Sequence, residues 1–247
     1  MNWTAFASII SLISLVISLY PLIKSFLNRK RPILSTAPLC TVGHFIGNPD
    51  LYLYIDLSNE SSRDLKIKSV IMEVVGPNGD LREFPAYAYY GITPQDQNLK
   101  AFMPFTIKKG MSWSNNIRFF KPISGENDNN LRQITKMFKE TVNKARAEDQ
   151  SSSKPVDCFA HNPELASMVN ELYNINKYWV EGVYKLKLKI TTDSIKTNLV
   201  MDLSFNLLHV DISTLKELYD TDIVYGASIL FPSNNHFVYP SLKNEND

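Results

Sequence analysis

The alternation of apolar and polar positions divides the chain into an apolar run at its beginning, two groups of predicted strands, and a helical segment between the groups. Residues 51–57 and 182–190 alternate with period two, which is typical of strands that bury one face in a core. Other runs are rich in β-branched residues and bounded by turn residues. These signals predict strands at residues 33–42, 51–57, 65–75, 81–90, 99–107, 111–120, 179–191 and 196–210.

A hairpin is predicted at residues 76–80, where Gly-Pro-Asn-Gly-Asp separates two predicted strands. The strand that follows contains Pro85, which has no backbone N–H to donate to a neighbour. Proline is found mainly on sheet edges, so we predict an edge position for this strand.

The apolar spacing changes to a helical period between residues 131 and 147. The apolar face of this predicted helix consists of Leu131, Ile134, Phe138, Val142 and Ala145. A second helix is predicted to begin at Asn162 as N-cap, with Pro163 in its first turn. A short third helix is predicted at residues 213–218, followed by a loose acidic tail.

Together these elements predict a mainly β fold with an α insertion. Its predicted form is an N-terminal transmembrane helix followed by an immunoglobulin-like antiparallel β-sandwich that carries a two-helix insertion. The segment Gly182-Val183-Tyr184, which leads into strict alternation, resembles the tyrosine corner of immunoglobulin-like sandwiches. The predicted divisions are residues 1–31 for the anchor and basic juxtamembrane segment, 32–124 for the first part of the sandwich, 125–178 for the insertion, 179–212 for the closing strands, and 213–247 for the short helix and tail.

The membrane anchor is predicted from residues 3–23, which carry no charge. As a helix this run is about 31 Å long, which matches the hydrocarbon core of a bilayer. Two alternatives are a cleaved secretory signal and a buried core helix. A cleaved signal has a basic start and a shorter apolar stretch, so we favour a retained single-pass helix.

The basic residues beside the anchor predict its orientation. Lys24, Arg29, Lys30 and Arg31 all follow the run, and the positive-inside rule keeps that side in the cytoplasm. We therefore expect the N-terminus outside, the main domain in the cytoplasm, and the bilayer as a partner. Two cysteines in 247 residues fit a reducing compartment.

Small residues recur along one side of the predicted anchor at spacings of three and four. A small-residue stripe lets a second helix approach closely, so homo-oligomers or helix–helix contacts are one interpretation, and chance alignment is the other. The positions involved are Ala7, Ser11, Ser14 and Ser18.

Charge argues against a nucleic-acid partner. The first 31 residues contain four of the 26 basic residues and none of the 25 acidic ones, so the remainder carries a net charge of −3. Proteins that bind nucleic acid usually have a basic footprint, which this remainder lacks.

Two close pairs of zinc-type ligands stand out, Cys40 with His44 and Cys158 with His161. They form a metal site only if the fold brings them together, and the alternative is two buried thiols with incidental histidines. A Cys158–His161 nucleophile pair is a further hypothesis. Because no P-loop, Gly-rich dinucleotide motif or serine elbow is present in the sequence, we expect no cofactor and no catalytic activity.

Four basic residues project to one side of the first predicted helix and offer a contact for anionic headgroups or an acidic partner. The alternative is the solvated flank of an amphipathic helix. These residues are Arg132, Lys136, Lys139 and Arg146.

The expected function is that of a membrane-anchored cytoplasmic domain that binds an unknown protein partner as an accessory or scaffold. Two alternatives stay open. One is a ligand sensor with a pocket where the sandwich meets the insertion. The other is an oligomeric membrane effector assembled through its transmembrane helix.

Overall fold

The computed structural model describes residues 14–15, 17–20, 31–90, 99–148, 155–230 and 237–245. Within them the protein is mainly β, with an antiparallel curled sheet and a few helices, which confirms the predicted class at that level. The strands are β1 (Ile33–Thr36), β2 (Thr41–Phe45), β3 (Asn48–Ser58), β4 (Leu65–Val75), β5 (Leu81–Tyr90), β6 (Leu99–Ala101), β7 (Phe105–Ile107), β8 (Ser112–Phe120), β9 (Gly182–Thr192), β10 (Leu199–Leu207), β11 (Phe237–Val238) and β12 (Lys243–Asn244). The helices are α1 (Glu126–Glu148), α2 (Cys158–His161), α3 (Pro163–Asn176), α4 (His209–Val224) and α5 (Ala227–Leu230), with a 3₁₀ turn at Ile195–Thr197.

The sheet curls at β5, which belongs to both of its halves. The first half contains β1, β2, β3, β8 and β11, and the second contains β4, β9, β10 and β12. The first residues of β5 pair with β4, and the last pair with β8. Pro85 lies at this change of partner, beside a bulge between Ala86 and Ala88. Residues 81–85 pair with β4 alone among the described strands, so Pro85 lies at an edge of this half of the sheet as predicted, although β5 as a whole is a central strand.

Both halves of the sheet bury their side chains in one core. The first half supplies Leu53 and Ile117, and the second supplies Met72 and Leu188, all of them almost fully buried. A sheet that curls over one core in this way is consistent with a β-sandwich.

The helices form a second core of their own. Ile134 and Phe138 of α1 pack with Val169 of α3 and with Tyr219 and Ile223 of α4. Helix α4 was predicted only as residues 213–218 and extends much further on both sides. Its buried residues Leu215, Tyr219 and Ile223 recur every four positions, a sparse pattern that the polar residues between them obscure.

The hairpin between β2 and β3 joins the two cores. Ile46, with φ of 47°, is buried among the helices, and Gly47 has φ of 78°. A Cβ atom at Gly47 would collide with the carbonyl oxygen of Tyr173 and lie 2.9 Å from the backbone nitrogen of Lys177. The helices therefore sit on the hairpin end of β3, at the opposite end of that strand from Ser58.

Residues 237–245, which we call the closing segment, connect the two ends of the curled sheet. Val238 pairs with Val42 of β2, and Lys243 pairs with Ser204 of β10. Between these strands the Cys40 N–H donates to the carbonyl of Pro240 at 3.2 Å. The prediction of a loose tail is wrong for these residues.

Most of the predicted anchor, residues 3–23, lies outside the described residues. Ser14, Leu15 and residues 17–20 are helical. Among the helices that the structure describes, none has both the length and the apolar character needed to cross a membrane.

Candidate functional site

A polar groove of about 540 Å³ lies where the sheet meets the helices. It is formed by the first residues of β3 and β5, the loop after β8, the start of α1 and the end of α3. The polar side chains in its lining are Asn48, Arg82, Glu83, Lys121, Ser124, Asn127 and Asn176.

Arg82 is held on one wall of the groove. Its Nη1 donates to the carbonyl oxygen of Asn176 at 3.3 Å, and its guanidinium carbon lies 4.3 Å from the centre of the Tyr178 ring. Tyr178 is itself buried and donates to the carbonyl of Val74 at 3.1 Å. Burial raises the pKa of Tyr178, so its ring is neutral at physiological pH and stacks beneath a fixed positive charge.

The other wall is fixed by Asn48, whose side-chain amide donates to the carbonyl of Lys121 at 2.9 Å. The side-chain nitrogen of Asn176 is buried and makes no hydrogen bond within the described part of the chain. The two cations, Arg82 and Lys121, outnumber the one carboxylate, Glu83, so the groove has a net charge of +1 and can bind a carboxylate and the polar groups of a peptide backbone.

A buried ion pair lies on the outer face of the first half of the sheet. Arg118 of β8 donates to both carboxylate oxygens of Asp50, at 2.9 and 2.7 Å, and Asp50 is fully buried. Burial raises the pKa of Asp50, against the opposing effect of the Arg118 guanidinium. Partial burial disfavours the charge on Arg118, but the hydrogen bonds and attraction from Asp50 outweigh it and raise the pKa of Arg118.

Aromatic rings surround this pair. The guanidinium carbon of Arg118 lies 4.6 Å from the ring centre of Phe120, 5.7 Å from that of Tyr52 and 5.8 Å from that of Tyr87. Sequence reasoning missed the pair because the two residues are 68 positions apart. Only the register of β3 against β8, which places Tyr52 opposite Arg118, brings them together.

The cysteines of the two predicted Cys–His pairs lie in different cores. Cys40 is in the sheet core, and Cys158 is in the helical core. His44 lies between the rings of Tyr173 and Tyr219, at 5.5 and 5.3 Å. The described residues contain no group of three or more His, Cys, Asp or Glu side chains that could hold a metal ion.

Both thiols are buried. Burial raises the pKa of Cys40 from 9.0 to about 12 and that of Cys158 to about 11. Each thiol is therefore protonated at neutral pH, the form that is a poor nucleophile and a poor metal ligand.

The basic residues predicted on the first helix are exposed on α1, and two have acidic partners. Arg132 contacts Asp128 at 2.9 Å, and Lys136 contacts Glu140 at 3.8 Å. Lys139 and Arg146 lie on the same side of the helix. Among the predicted juxtamembrane residues, Arg31 is exposed just before β1, and Lys24, Arg29 and Lys30 lie outside the described residues.

Of the predicted helix–helix positions, Ser14 and Ser18 are described. The Ser18 hydroxyl donates to the carbonyl of Ser14 at 2.8 Å, which satisfies the hydroxyl within its own helix. Ala7 and Ser11 lie outside the described residues.

No family model and no curated protein matches the chain. Among solved structures, a family 123 glycoside hydrolase from Clostridium perfringens is 11% identical over 72% of this chain, with a TM-score of 0.32. The chain spans 27% of the length of that hydrolase. A protein from Archaeoglobus fulgidus is 9% identical over 70% of this chain and 98% of its own, with a TM-score of 0.28. Neither likeness bears on the fold or the function of this chain.

Proposed function

We propose that this protein is a single-pass, membrane-anchored interaction module that binds an acidic segment of a partner protein and has no catalytic activity. The observation that carries the proposal is the polar groove between the sheet and the helices, with Arg82 fixed on one wall and Lys121 on the other.

The chemistry of the groove favours a protein segment over a small apolar ligand. Small-molecule sites are lined mainly by apolar and aromatic side chains, whereas this lining is mostly polar. Arg82 and Lys121 attract a carboxylate, and the side-chain amide of Asn127 suits the N–H and C=O groups of an extended chain.

The fold that presents the groove is proposed to be an immunoglobulin-like sandwich. Support comes from Tyr184 near the start of β9, whose hydroxyl accepts the N–H of Val180 at 2.8 Å and donates to the carbonyl of Val180 at 3.0 Å. A tyrosine bonded to the backbone a few residues upstream is characteristic of that architecture.

The anchor in the proposal is the apolar run of residues 3–23, with the N-terminus outside and the domain in the cytoplasm. Anchoring concentrates the domain near partners at the same membrane, so a groove of modest affinity is sufficient for binding there.

The test is quantitative co-purification of the tagged full-length chain in mild detergent. Lys121→Glu reverses a charge in the groove, and Lys196→Glu reverses an exposed charge in the turn after β9, at the end of that strand remote from the groove. We expect a stoichiometric partner with the unmodified chain and with Lys196→Glu, and at least about a tenfold loss with Lys121→Glu, because a charge-assisted contact contributes about 1.5–3 kcal/mol.

Equal recovery of the partner with both variants would overturn the groove as the binding site. Recovery of the chain alone, as a homo-oligomer, would overturn the accessory function and favour assembly through the anchor.

A further inference from the structure

One end of the sheet lies where the chain arrives from the predicted anchor. Strand β1 begins at Ile33, which pairs with Ser58, the last residue of β3. Two loops occupy the same end, residues 59–64 between β3 and β4, and residues 108–111 between β7 and β8. We call Ile33 together with these two loops the tip.

The two loops of the tip are tied together by Asn59, which is 1% exposed. Its side-chain amide donates to the carbonyls of Arg63 and Ile107, both at 2.9 Å. Its backbone N–H donates to the carbonyl of Met111 at 2.9 Å, and its own carbonyl accepts the N–H of Gly110 at 2.8 Å. These bonds join the two loops into one surface, because the side-chain amide and both backbone groups of the buried Asn59 are bonded across them.

The tip has three basic side chains, two acidic ones and two exposed apolar ones. Arg63, Lys108 and Lys109 are exposed, and so are Met111 (60%) and Ile33 (50%). Arg31 and Lys66 adjoin it, as does the exposed Asp193, whose backbone N–H donates to the carbonyl of Lys66 at 3.1 Å. Its acidic residues are Glu60 and Asp64, and Asp64 accepts the backbone N–H of Lys109 at 3.0 Å. Exposed apolar side chains together with an excess of basic ones are the combination found on surfaces that contact anionic lipid.

We propose that the tip rests on the surface of an anionic bilayer, with Lys108, Lys109 and Arg63 against lipid headgroups and Met111 at the interface. This inference rests on the proposed anchor. The nine residues 24–32 can span at most about 30 Å, so Ile33 lies within that distance of the membrane end of the anchor.

The geometry of β3 gives this orientation a consequence for function. The strand has 11 residues and is about 33 Å long. It runs from the hairpin under the helices to the tip. With the tip on the bilayer, the groove at the other end of β3 lies away from the membrane, where a partner can reach it.

The experiment uses the full chain reconstituted in vesicles. A fluorophore is attached through Met111→Cys at the tip, or through Val210→Cys at the start of α4 as the matched exposed control. Cys40 and Cys158 are 2% and 0% exposed and do not compete for the label. A quencher carried on lipid headgroups reports contact with the bilayer surface.

We expect quenching at position 111 but not at position 210 in vesicles that contain phosphatidylserine, and little at either position in phosphatidylcholine alone. Lys108→Gln with Lys109→Gln should lower the docking equilibrium about 30-fold, since each basic residue near the surface contributes about 1 kcal/mol. Lys139→Gln with Arg146→Gln on α1 should leave it unchanged.

Two results would overturn the proposal, and they differ in what they leave standing. In the first, the chain stays with floated vesicles after alkaline extraction, but quenching is equal at both positions or does not respond to the Lys108 and Lys109 changes. The proposed contact of the tip with the bilayer is then wrong, and the proposed anchor stands. In the second, alkaline extraction removes the chain from the vesicles. Both the proposed anchor and the proposed contact of the tip are then wrong.

Discussion

At the scale of single residues, the ion pair between Asp50 and Arg118 places two charges where water is largely excluded. Removing one partner from a buried pair leaves the other charge uncompensated, which costs about 3–5 kcal/mol. We predict a loss of this size for Arg118→Met alone, and a smaller loss for Arg118→Met combined with Asp50→Leu, because the double variant leaves no unpaired charge.

The test of this pair is the free energy of unfolding of the full chain in urea, with tryptophan fluorescence as the signal. Arg132→Met is the control, since the ion pair of Arg132 with Asp128 is exposed on α1 and is worth at most about 1 kcal/mol. Additive losses in the double variant would show that the two residues do not act as a pair.

At the scale of elements, the fit between the sheet and the helices depends on Gly47. Its positive φ costs any other residue about 1–2 kcal/mol. A methyl group there would also press into the end of α3, which adds about 1–3 kcal/mol. We therefore predict that Gly47→Ala destabilises the protein and loosens the helices from the sheet.

Gly79 supplies the matched control, because its φ is 80° and a Cβ atom there meets no atom of the described residues within 4 Å. Gly79→Ala should lower the stability only by the cost of a positive φ in a residue with a Cβ atom, about 1–2 kcal/mol. Thermal unfolding and hydrogen exchange of residues 163–176 compare the two variants. Equal losses of stability, with unchanged exchange in α3, would contradict a role for Gly47 in docking.

The elements that the sequence predicts well are those whose pattern is complete within one segment. Residues 65–75 and 81–90 form strands with the predicted bounds, and Asn162 caps α3 as predicted, with its side chain accepting the Leu165 N–H. The predicted strand at 33–42 is divided into β1 and β2. The N–H of Cys40, in the break, bonds to Pro240, a partner about 200 residues away that no local pattern reveals.

The groove was beyond local prediction for a similar reason. Its walls come from β3, β5, the loop after β8, α1 and α3, so its position depends on how distant elements pack. A ligand pocket where the sheet meets the insertion is one alternative that the sequence allows, and the groove lies at that junction. Arg82, at the start of β5, and Lys121, just after β8, are far apart in the sequence. Only the pairing of the strands brings these two cations into one groove.

At the scale of the whole molecule, the curled sheet is closed by the segment that follows the helices. The strands at the two ends of the sheet order, β11 and β12, both belong to this closing segment. Residues 237–245 thus cover the outer edges of β2 and β10, and Val238 and Pro240 are buried in the process. An uncovered edge is a template for pairing with another chain.

Stepwise truncation tests whether the closing segment protects both edges. A chain that stops after residue 242 loses only the pairing of β12 with β10, so we expect faster hydrogen exchange near Leu203 and Ser204 and little change in β2. A chain that stops after residue 236 also loses the pairing with β2 and the burial of Val238, which alone contributes about 1.5–3 kcal/mol. We predict that exchange then rises at residues 40–43 as well, and that size-exclusion chromatography shows association through the exposed edges. If both truncated chains exchange like the full chain, the closing segment does not hold the sheet together.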